Sequence, residues 1–527
     1  MKSLCLGLFW GLVAVMPWGV AVAQAPPEAL LTPGRSFALQ DKIVSTSVFV
    51  WYQSAAGQLS GPWEPLGGRP SWTGEVPFWK DQIKQIMSAN IDVMNVHLFQ
   101  AHDSGADSAA QRTNLFQALS ELRHEGYEVP KVTPFLDPII TWGTEGLLRF
   151  APQDGPGRDI FVAMYEDFYH QYFSVNTDPQ ADSYLTRIDG RTALDVWHTH
   201  VSIGAYQRLT RADVQTRLQD EFAAEHPIFN DDIYMITTKS DQTLVFADEQ
   251  VIQFQSQAYL DPTSYNGIRA VQLKPGYWDQ NIRDPGFFLP RTGGTSYAGA
   301  WQRVAASRES VDRVYIESWN EYDEGSGIYA AEPQPPNIRN PPNDSGNSDA
   351  WSGSNDPYEY IKSTANGARQ FNDVADMDAR ILWHNLPETM QPGETVHAQI
   401  VVRNTGDISW NGASNFKLGQ NENLAATLFG AGRYLIDDDA NEIPTYGGIF
   451  RGRPIVFDVQ LTAPAASGRY VTHWQMLQEH VAWFGEDLAH TIQVGNPIPE
   501  PSTLGLLLTG LLAIRQIKFA HTNGSRV

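Results

Sequence analysis

A regular alternation of strand-like and helix-like segments is the feature that most limits how this chain can fold. Between residues 40 and 375, short runs rich in β-branched and aromatic residues alternate with segments whose apolar residues have helical spacing. The predicted strands are 45–53, 91–97, 129–136, 193–200, 233–238, 268–273 and 311–318, and the predicted helices are 78–90, 109–125, 159–174, 210–225, 297–307 and 358–371. About eight such units over about 330 residues predict an α/β TIM barrel, (β/α)8. The unit near 248–262 is the least regular.

The pattern of the sequence changes after residue 378. Short alternating strands at 396–403, 455–461, 470–476 and 490–494 are separated by Gly, Asn and Pro turns, which predicts an all-β sandwich over 378–495. Four tryptophans lie within it, Trp383, Trp410, Trp474 and Trp483, together with the tripeptides Asn-Thr-Gly at 404–406 and Trp-Phe-Gly at 483–485. This pattern resembles the immunoglobulin-like four-tryptophan domain. We expect these tryptophans to pack the core and sheets, and the domain to be a spacer or docking module.

Residues 313–325 carry the strongest chemical signal. Val314, Tyr315 and Ile316 predict a buried strand, which runs directly into an acidic and aromatic stretch, Trp-Asn-Glu-Tyr-Asp-Glu-Gly at 319–325. Carboxylates beside aromatic side chains at the carboxyl end of a barrel strand suit glycosidic bond cleavage, in which one carboxyl donates a proton and the other acts as base or nucleophile. Because positions i and i+3 of a strand face opposite sides, Glu321 and Glu324 can converge only if the chain turns between them. A merely solvated acidic turn is the alternative.

The same stretch, followed by Tyr329 and then Glu332-Pro333, resembles the Trp-Asn-Glu-Trp-x-Glu-Gly…Glu-Pro signature of endo-α-mannosidase-like glycoside hydrolases of family 99. The chain departs from that signature at Tyr322 and Asp323. The resemblance implies a barrel fold, hydrolysis with retention, and two catalytic glutamates. It implies that Glu321 deprotonates a neighbouring sugar hydroxyl to form an anhydro-sugar, and that Glu324 acts as general acid and then base. The residues alone assign the pair but not the separate roles, and direct nucleophilic attack stays open.

Other candidate site residues follow the predicted strands, because strand carboxyl ends line the mouth of such a barrel. Aromatic faces can stack on sugars, and polar side chains can hydrogen-bond to hydroxyl groups. The predicted substrate-binding residues are Trp51, Tyr52, His97, Asp137, His198, Lys239, Tyr277, Trp278, Trp319, Asn320 and Tyr322.

Two alternative functions remain open at this point. His198 and His200 are two apart on a predicted strand and share a face, so that His97 or Asp137 could complete a hydrolytic zinc site of a deacetylase or amidohydrolase. A barrel that binds a glycan without cleaving it is the other alternative. For the glycosidase itself we expect neither a metal nor another cofactor.

Both ends of the chain carry processing signals. Residues 1–25 begin with the basic residue Lys2, continue with an apolar run and end with small residues typical of a cleavage site. This arrangement predicts a secretory signal peptide. Residues 497–527 contain Pro-Glu-Pro at 499–501, an apolar stretch from 504 to 514 and the basic residues Arg515 and Lys518. This arrangement resembles the PEP-CTERM sorting signal. The resemblance implies cleavage by an exosortase, only transient membrane contact through the tail, and an extracellular or exopolysaccharide-associated location in a bacterium with an outer membrane.

Composition narrows the chemistry and the partners. The single cysteine, Cys5, lies in the signal peptide, so the processed chain has no thiol nucleophile, thiolate metal site or disulfide. A formal net charge of −23 disfavours nucleic-acid binding and repels acidic polysaccharides. The sequence therefore predicts an exported glycoside hydrolase that acts on a neutral glycan.

Overall fold

The computed structural model of the chain describes residues 25–52, 60–98, 106–136, 156–197, 210–238, 247–252, 257–259, 261–283, 286–333, 351–425, 427–436 and 448–496. Two separate apolar cores organise these residues, one in the N-terminal α/β region and one in the C-terminal β region. None of the described helices combines the length and apolar character needed to cross a membrane.

The N-terminal region is built on a nearly closed barrel sheet. Eight strands of this sheet are parallel and neighbour one another in the order β7-β6-β5-β3-β2-β1-β12-β9. Two short strands extend it, β4 paired antiparallel with β5 and β8 paired antiparallel with β9. The strands β10 and β11 form a separate antiparallel pair. The bounds are β1 Ile43–Val48, β2 Val93–Leu98, β3 Lys131–Leu136, β4 Arg187–Ile188, β5 Arg191–Val196, β6 Ile233–Thr238, β7 Glu249–Val251, β8 Thr263–Tyr265, β9 Ile268–Leu273, β10 Tyr277–Trp278, β11 Phe288–Leu289 and β12 Arg313–Ile316.

Helices join most of the parallel strands, as the sequence predicts. Their bounds are α1 Pro27–Leu30, α2 Val76–Ser88, α3 Ala106–His124, α4 Pro156–Val175, α5 Arg211–Phe222, α6 Thr295–Ala306 and α7 Glu359–Phe371. The six predicted helices and the seven predicted strands each correspond to one of these elements. The first strand is shorter than predicted, because the chain leaves the ladder after Val48 and its next residues turn toward the site. No helix joins β6 to β7 among the described residues, in agreement with the irregular pattern near 248–262.

The sheet ladder has a gap between β7 and β9, and a buried carboxylate connects the strands across the barrel interior. Glu249 on β7 is fully buried and accepts hydrogen bonds from the hydroxyls of Tyr315, at 2.7 Å, and Tyr234, at 2.8 Å. The Arg313 guanidinium lies 3.3 Å from the same carboxylate and is also buried. Since Arg313 and Tyr315 belong to β12, the last strand is bonded to β7 through side chains.

The C-terminal region is a sandwich of two sheets. One sheet has the order β13-β15-β18 and the other β14-β20-β19-β16-β17. The bounds are β13 Ala379–His384, β14 Thr389–Met390, β15 Thr395–Asn404, β16 Phe416–Gln420, β17 Arg433–Leu435, β18 Pro454–Thr462, β19 Gly468–Gln478 and β20 Ala482–Val494. Trp410 and Trp474 are fully buried in its core, whereas Trp383 is partly exposed and Trp483 packs under Arg433.

The sandwich packs against the amino-terminal ends of the barrel strands. Arg451 donates to Asp92, which precedes β2, at 2.9 Å, and to Asp407 of the sandwich at 2.8 Å. The Glu128 amide, just before β3, donates to the Gly452 carbonyl at 2.9 Å. These contacts leave the carboxyl ends of the strands on the opposite face of the barrel.

Candidate active site

The loop after β12 is attached to the neighbouring strands on both sides. The Glu317 amide donates to the Leu273 carbonyl of β9, and the Trp319 amide donates to the Ser47 carbonyl of β1, each at 2.9 Å. The Asn320 side chain then binds the backbone of Phe49 twice, accepting from its amide and donating to its carbonyl, each at 2.7 Å. The first and last barrel strands therefore hold the acidic stretch in a fixed position at the carboxyl end of the barrel.

The chain turns between Glu321 and Glu324, as convergence of the two side chains requires. The Ser318 hydroxyl accepts a hydrogen bond from the Glu321 amide at 2.7 Å, and the Gly325 amide donates to the Tyr322 carbonyl at 3.0 Å. Gly325 has a φ of +57°, and a Cβ there would lie 2.8 Å from the Trp63 ring. Glycine thus suits this position for both conformational and steric reasons.

Glu321 is the more deeply buried of the two glutamates. Only 7% of the residue is exposed, and the Tyr52 hydroxyl donates a hydrogen bond to its Oε1 atom. Burial raises the pKa of Glu321 well above its ordinary value, and the negative charge of Glu324 raises it further, whereas the Tyr52 hydrogen bond opposes the shift. A carboxyl with a raised pKa holds a proton at higher pH than an ordinary glutamate does, which suits proton transfer.

Glu324 has a cationic partner. Arg283 donates from Nη2 to Glu324 Oε1 at 2.6 Å and, from Nη1, to the Tyr277 hydroxyl at 2.9 Å and to Asp279 at 2.5 Å. Burial raises the pKa of Glu324, and the charge and hydrogen bond of Arg283 oppose that shift. The two glutamates therefore differ in the group that stabilises their ionised forms, a phenol for Glu321 and a guanidinium for Glu324.

Two further carboxylates border the pair. Glu317 directly follows β12 and is paired with the buried Lys274, which lies 3.0 Å away directly after β9. Asp323 accepts a hydrogen bond from the Ser60 amide at 2.6 Å, and burial raises its pKa from 3.8 to about 6. The site thus concentrates negative charge, of which the Lys274 and Arg283 cations neutralise part.

Aromatic side chains from neighbouring strand ends extend this face. Trp51 is half-buried and lies edge-on to the ring of His97, with 4.4 Å between the ring centroids. His97 is fully buried and also packs against Phe49 and Phe135, at 5.0 and 5.3 Å. An apolar ring beside acidic groups is the composition that carbohydrate binding uses.

The structure separates the predicted site residues into three groups. Tyr52, Tyr277, Glu321 and Glu324 come together, Trp51 lies beside Tyr52, and His97 lies beside Trp51. Trp278, Trp319, Asn320 and Tyr322 are buried, at 0–2% exposed, and hold the loop; the Trp319 indole, for example, donates to Gln82 at 3.0 Å. Asp137, His198, His200 and Lys239 lie outside the described residues. The predicted zinc site needs His198 and His200, so it also lies outside them, although its possible third ligand His97 is described.

Four site residues were not predicted from the sequence, namely Lys274, Arg283, Glu317 and Asp323. Lys274 and Glu317 each follow the last residue of a barrel strand, so the strand-end rule could have found them. Asp323 stands between the two glutamates and was interpreted as part of the acidic stretch alone. Arg283 lies in the loop after β10, 41 residues from its partner, and no local pattern marks it.

A potential metal-binding group among the described residues lies elsewhere. Glu166, His170 and Glu221 bring ligand atoms together on the exposed faces of α4 and α5. Arg217 already pairs with Glu166 at 2.6 Å. This group is distinct from the carboxylates at the strand ends.

Comparison with known proteins gives a family match for the C-terminal region. Residues 386–494 match the family described as the Ig-like domain from next to BRCA1 gene. The sandwich is therefore immunoglobulin-like. No curated protein matches the chain.

Solved structures with distant similarity include a GH99 endo-α-mannosidase from Bacteroides thetaiotaomicron, at 16% identity and a TM-score of 0.42, over 63% of this chain and 97% of that one. A GH1 β-glucosidase from Exiguobacterium antarcticum matches at 10% identity and a TM-score of 0.24, over 63% and 99% of the two chains. The CARDB domain of a Pyrococcus furiosus protein, in complex with di-metal ions, matches at 13% identity and a TM-score of 0.16, over 23% and 90%. The fold assignment above rests on the strand order of this chain.

Proposed function

We propose that this chain is an exported glycoside hydrolase in which Glu321 and Glu324 are the catalytic pair. The observation that carries the proposal is the meeting of two carboxyls of raised pKa at the carboxyl end of the barrel, Glu321 buried and Glu324 partly buried, each with a different polar partner. Glycosidic cleavage needs a proton donor and a base or nucleophile in one site. Two nearby carboxyls that resist simultaneous ionisation supply one proton and one carboxylate.

The roles follow the family 99 resemblance, with Glu321 as base and Glu324 as acid. The Tyr52 hydroxyl stabilises the ionised form of Glu321, and burial makes that carboxylate a stronger base than an exposed one. Arg283 is about half exposed, so it can release Glu324 when a substrate enters and leave that carboxyl protonated.

The reaction proceeds in two balanced steps. In the first, Glu321 takes the proton of the sugar hydroxyl next to the anomeric carbon, that oxygen bonds to the anomeric carbon, and Glu324 protonates the departing oxygen. In the second, Glu324 takes a proton from water, the water oxygen bonds to the anomeric carbon, the anhydro bond breaks, and Glu321 returns its proton to the freed oxygen. Two inversions give net retention. Direct attack by a glutamate on the anomeric carbon is the competing mechanism.

The substrate we propose is a neutral glycan or extracellular polysaccharide. Glu317, Glu321, Asp323 and Glu324 would repel a sugar carboxylate, while Trp51 offers a partly exposed ring on which a sugar can stack. Export through the signal peptide at 1–25, and processing by an exosortase at 497–527, are part of the same proposal.

The deciding measurement is release of reducing ends from α-mannans, other neutral glycans and the exopolysaccharide of the producing organism. Wild type, Glu321→Gln, Glu324→Gln and Glu309→Gln are compared, each with and without EDTA. Glu309 is an exposed residue before β12 and serves as the matched control for the amide substitution.

We expect release by wild type and Glu309→Gln, a loss of at least about a thousandfold in both site variants, and no effect of EDTA. Activity that EDTA abolishes and both site variants retain would instead indicate metal-dependent hydrolysis. Binding without release by any protein would indicate a glycan-binding barrel.

A further inference from the structure

A cavity lies on the opposite side of the barrel from the carboxylate pair. It has a volume of about 310 Å³ and is formed jointly by the amino-terminal face of the barrel and the β-sandwich. The barrel contributes Arg35, Asp92, Glu128 and Lys131, and the sandwich contributes Arg380, Arg403 and Arg451. This volume is at the lower end of the range typical of small-molecule sites, about 300 to 1,000 Å³.

The charge of this cavity opposes that of the whole protein. Five basic residues line it, against two acidic ones, in a chain whose formal net charge is −23. Arg451 is paired with Asp92 and with Asp407, Arg35 lies 4.0 Å from the same Asp92, and Arg403 lies 3.4 Å from Glu128. Within the described part of the chain, no carboxylate lies within ion-pair distance of Lys131 or Arg380. An excess of positive charge therefore faces the cavity.

Lys131 is a buried cation among neighbouring arginines. Lys131 is 4% exposed. Its ammonium group donates to the Ser183 carbonyl and lies 5.0 Å from the Tyr184 ring centroid. Burial lowers its pKa to about 7; Glu128 opposes the shift, and Arg35, Arg123 and Arg187 add to it. A bound anion would stabilise the charged form of this lysine.

Arg403 adds a buried hydrogen-bond donor beside the same cavity. It is 1% exposed, and its Nη1 atom donates to the Thr32 hydroxyl at 2.9 Å and to the Gly126 carbonyl at 3.2 Å. Its buried Nε atom has no hydrogen-bond partner in the described structure. Guanidinium groups bind carboxylate, sulfate and phosphate oxygens with several donors at once.

We propose that this interdomain cavity binds a small oxyanion, and that the bound anion fixes the sandwich against the barrel. Arg380 and Arg403 of the sandwich and Arg35 and Lys131 of the barrel would contact it from opposite sides. The ligand is either an inorganic oxyanion or the carboxylate of a single acidic sugar, since both present the same chemistry. The proposal is independent of the glycosidase assignment, because the cavity shares no residue with the carboxylate pair.

The test measures binding and thermal unfolding of the full processed chain with sodium sulfate, sodium phosphate or sodium glucuronate, against sodium chloride at equal ionic strength. The variants are Arg380→Ala, which changes an exposed side chain, and Lys131→Met. Arg217→Ala removes an exposed arginine on α5 and is the control for a general loss of positive charge.

We expect at least one of the three oxyanions to bind and to raise the unfolding temperature by roughly 2 to 4 °C at saturation. Both site variants should weaken that binding about tenfold or more, since each removes one charged contact, and Arg217→Ala should not. Calorimetry with sulfate in buffers of different ionisation enthalpy should show uptake of up to about half a proton near pH 7, which Lys131→Met abolishes.

The arms of the test also identify the source of the anion. Binding of sulfate or phosphate alone assigns an inorganic ligand, and binding of glucuronate assigns an acidic sugar. No binding beyond the chloride control would overturn the proposal. So would binding that Arg380→Ala, Lys131→Met and Arg217→Ala weaken equally, since this would be nonspecific attraction.

Discussion

Tyr52 and Glu321, which lie 269 positions apart in the chain, are joined by a hydrogen bond from the phenol to the carboxylate at the mouth of the barrel. Both groups are buried, at 3% and 7% exposed. Burial raises the pKa of Tyr52 well above its ordinary value, and the charge of Glu321 raises it further, so the phenol remains a donor at any working pH. This one contact links the first barrel strand to the catalytic chemistry we propose for the last.

Replacement of Tyr52 by phenylalanine should therefore impair the proposed base. A hydrogen bond to a charged group contributes about 1.5 to 3 kcal/mol, so kcat/KM should fall roughly ten- to a hundredfold. The Tyr52 hydrogen bond lowers the pKa of Glu321, so its loss should raise that pKa. The acid limb of the pH–rate profile should therefore move to higher pH. Tyr329→Phe, which loses a bond to the Trp63 carbonyl instead, is the control and should keep the limb in place.

Arg283 provides a means of assigning the two roles. Arg283→Met removes the cation that lowers the pKa of Glu324, so that pKa should rise. If Glu324 is the acid, as we propose, the basic limb of the kcat/KM profile moves to higher pH. An upward shift of the acid limb would instead make Glu324 the base. Arg283→Lys keeps the charge and should restore most of the original profile.

Asp323 should make the stability of the barrel depend on pH. Its pKa is raised by burial from 3.8 to about 6, so the folded chain binds a proton more tightly than the unfolded chain. The stabilisation from this proton is complete below about pH 3.8 and is lost as the pH rises through about 6.

The variant Asp323→Asn cannot titrate and isolates this effect. Urea unfolding at pH 4 and pH 7 should show the variant gaining up to about 3 kcal/mol relative to wild type over that interval. If the two proteins differ in free energy of unfolding by the same amount at pH 4 and at pH 7, the pKa of the Asp323 carboxyl is not shifted in the folded state.

Glu249 should be essential to the stability of the barrel, although it lies away from the proposed chemistry. In Glu249→Gln the buried Arg313 loses its carboxylate partner, which should lower the free energy of unfolding by about 3 to 5 kcal/mol. Glu166→Gln, which alters a surface pair with Arg217, should change it by less than about 1 kcal/mol. Urea denaturation of the two variants beside wild type measures both quantities.

Local pattern was enough to predict the elements that carry this site. The β-branched and aromatic run at Val314 and Ile316 is a strand, and the convergence argument for Glu321 and Glu324 required the turn that is present. The aromatic residues at the carboxyl end of the first predicted strand, 45–53, include Tyr52. These features depend on a few consecutive residues, so a single sequence contains them.

Long-range partners could not be predicted in this way. Whether Trp319 faces the site or the core depends on the packing of α2, which supplies Gln82 as the partner of the indole. Arg283 approaches Glu324 only because the loop after β10 folds back across the barrel mouth. The interdomain cavity depends on how two domains pack, and no segment of either domain alone specifies that arrangement.

The pairing of β1 with β12 also sets the order in which the molecule can become active. Ile43 lies opposite Arg313, so about 270 residues must be synthesised before this ladder can form. Until then Trp319 and Asn320 lack their partners on the first strand, and the two glutamates have no fixed positions. During refolding, activity should therefore return only when β1 pairs with β12. This step should come later than the recovery of any signal that reports the helices.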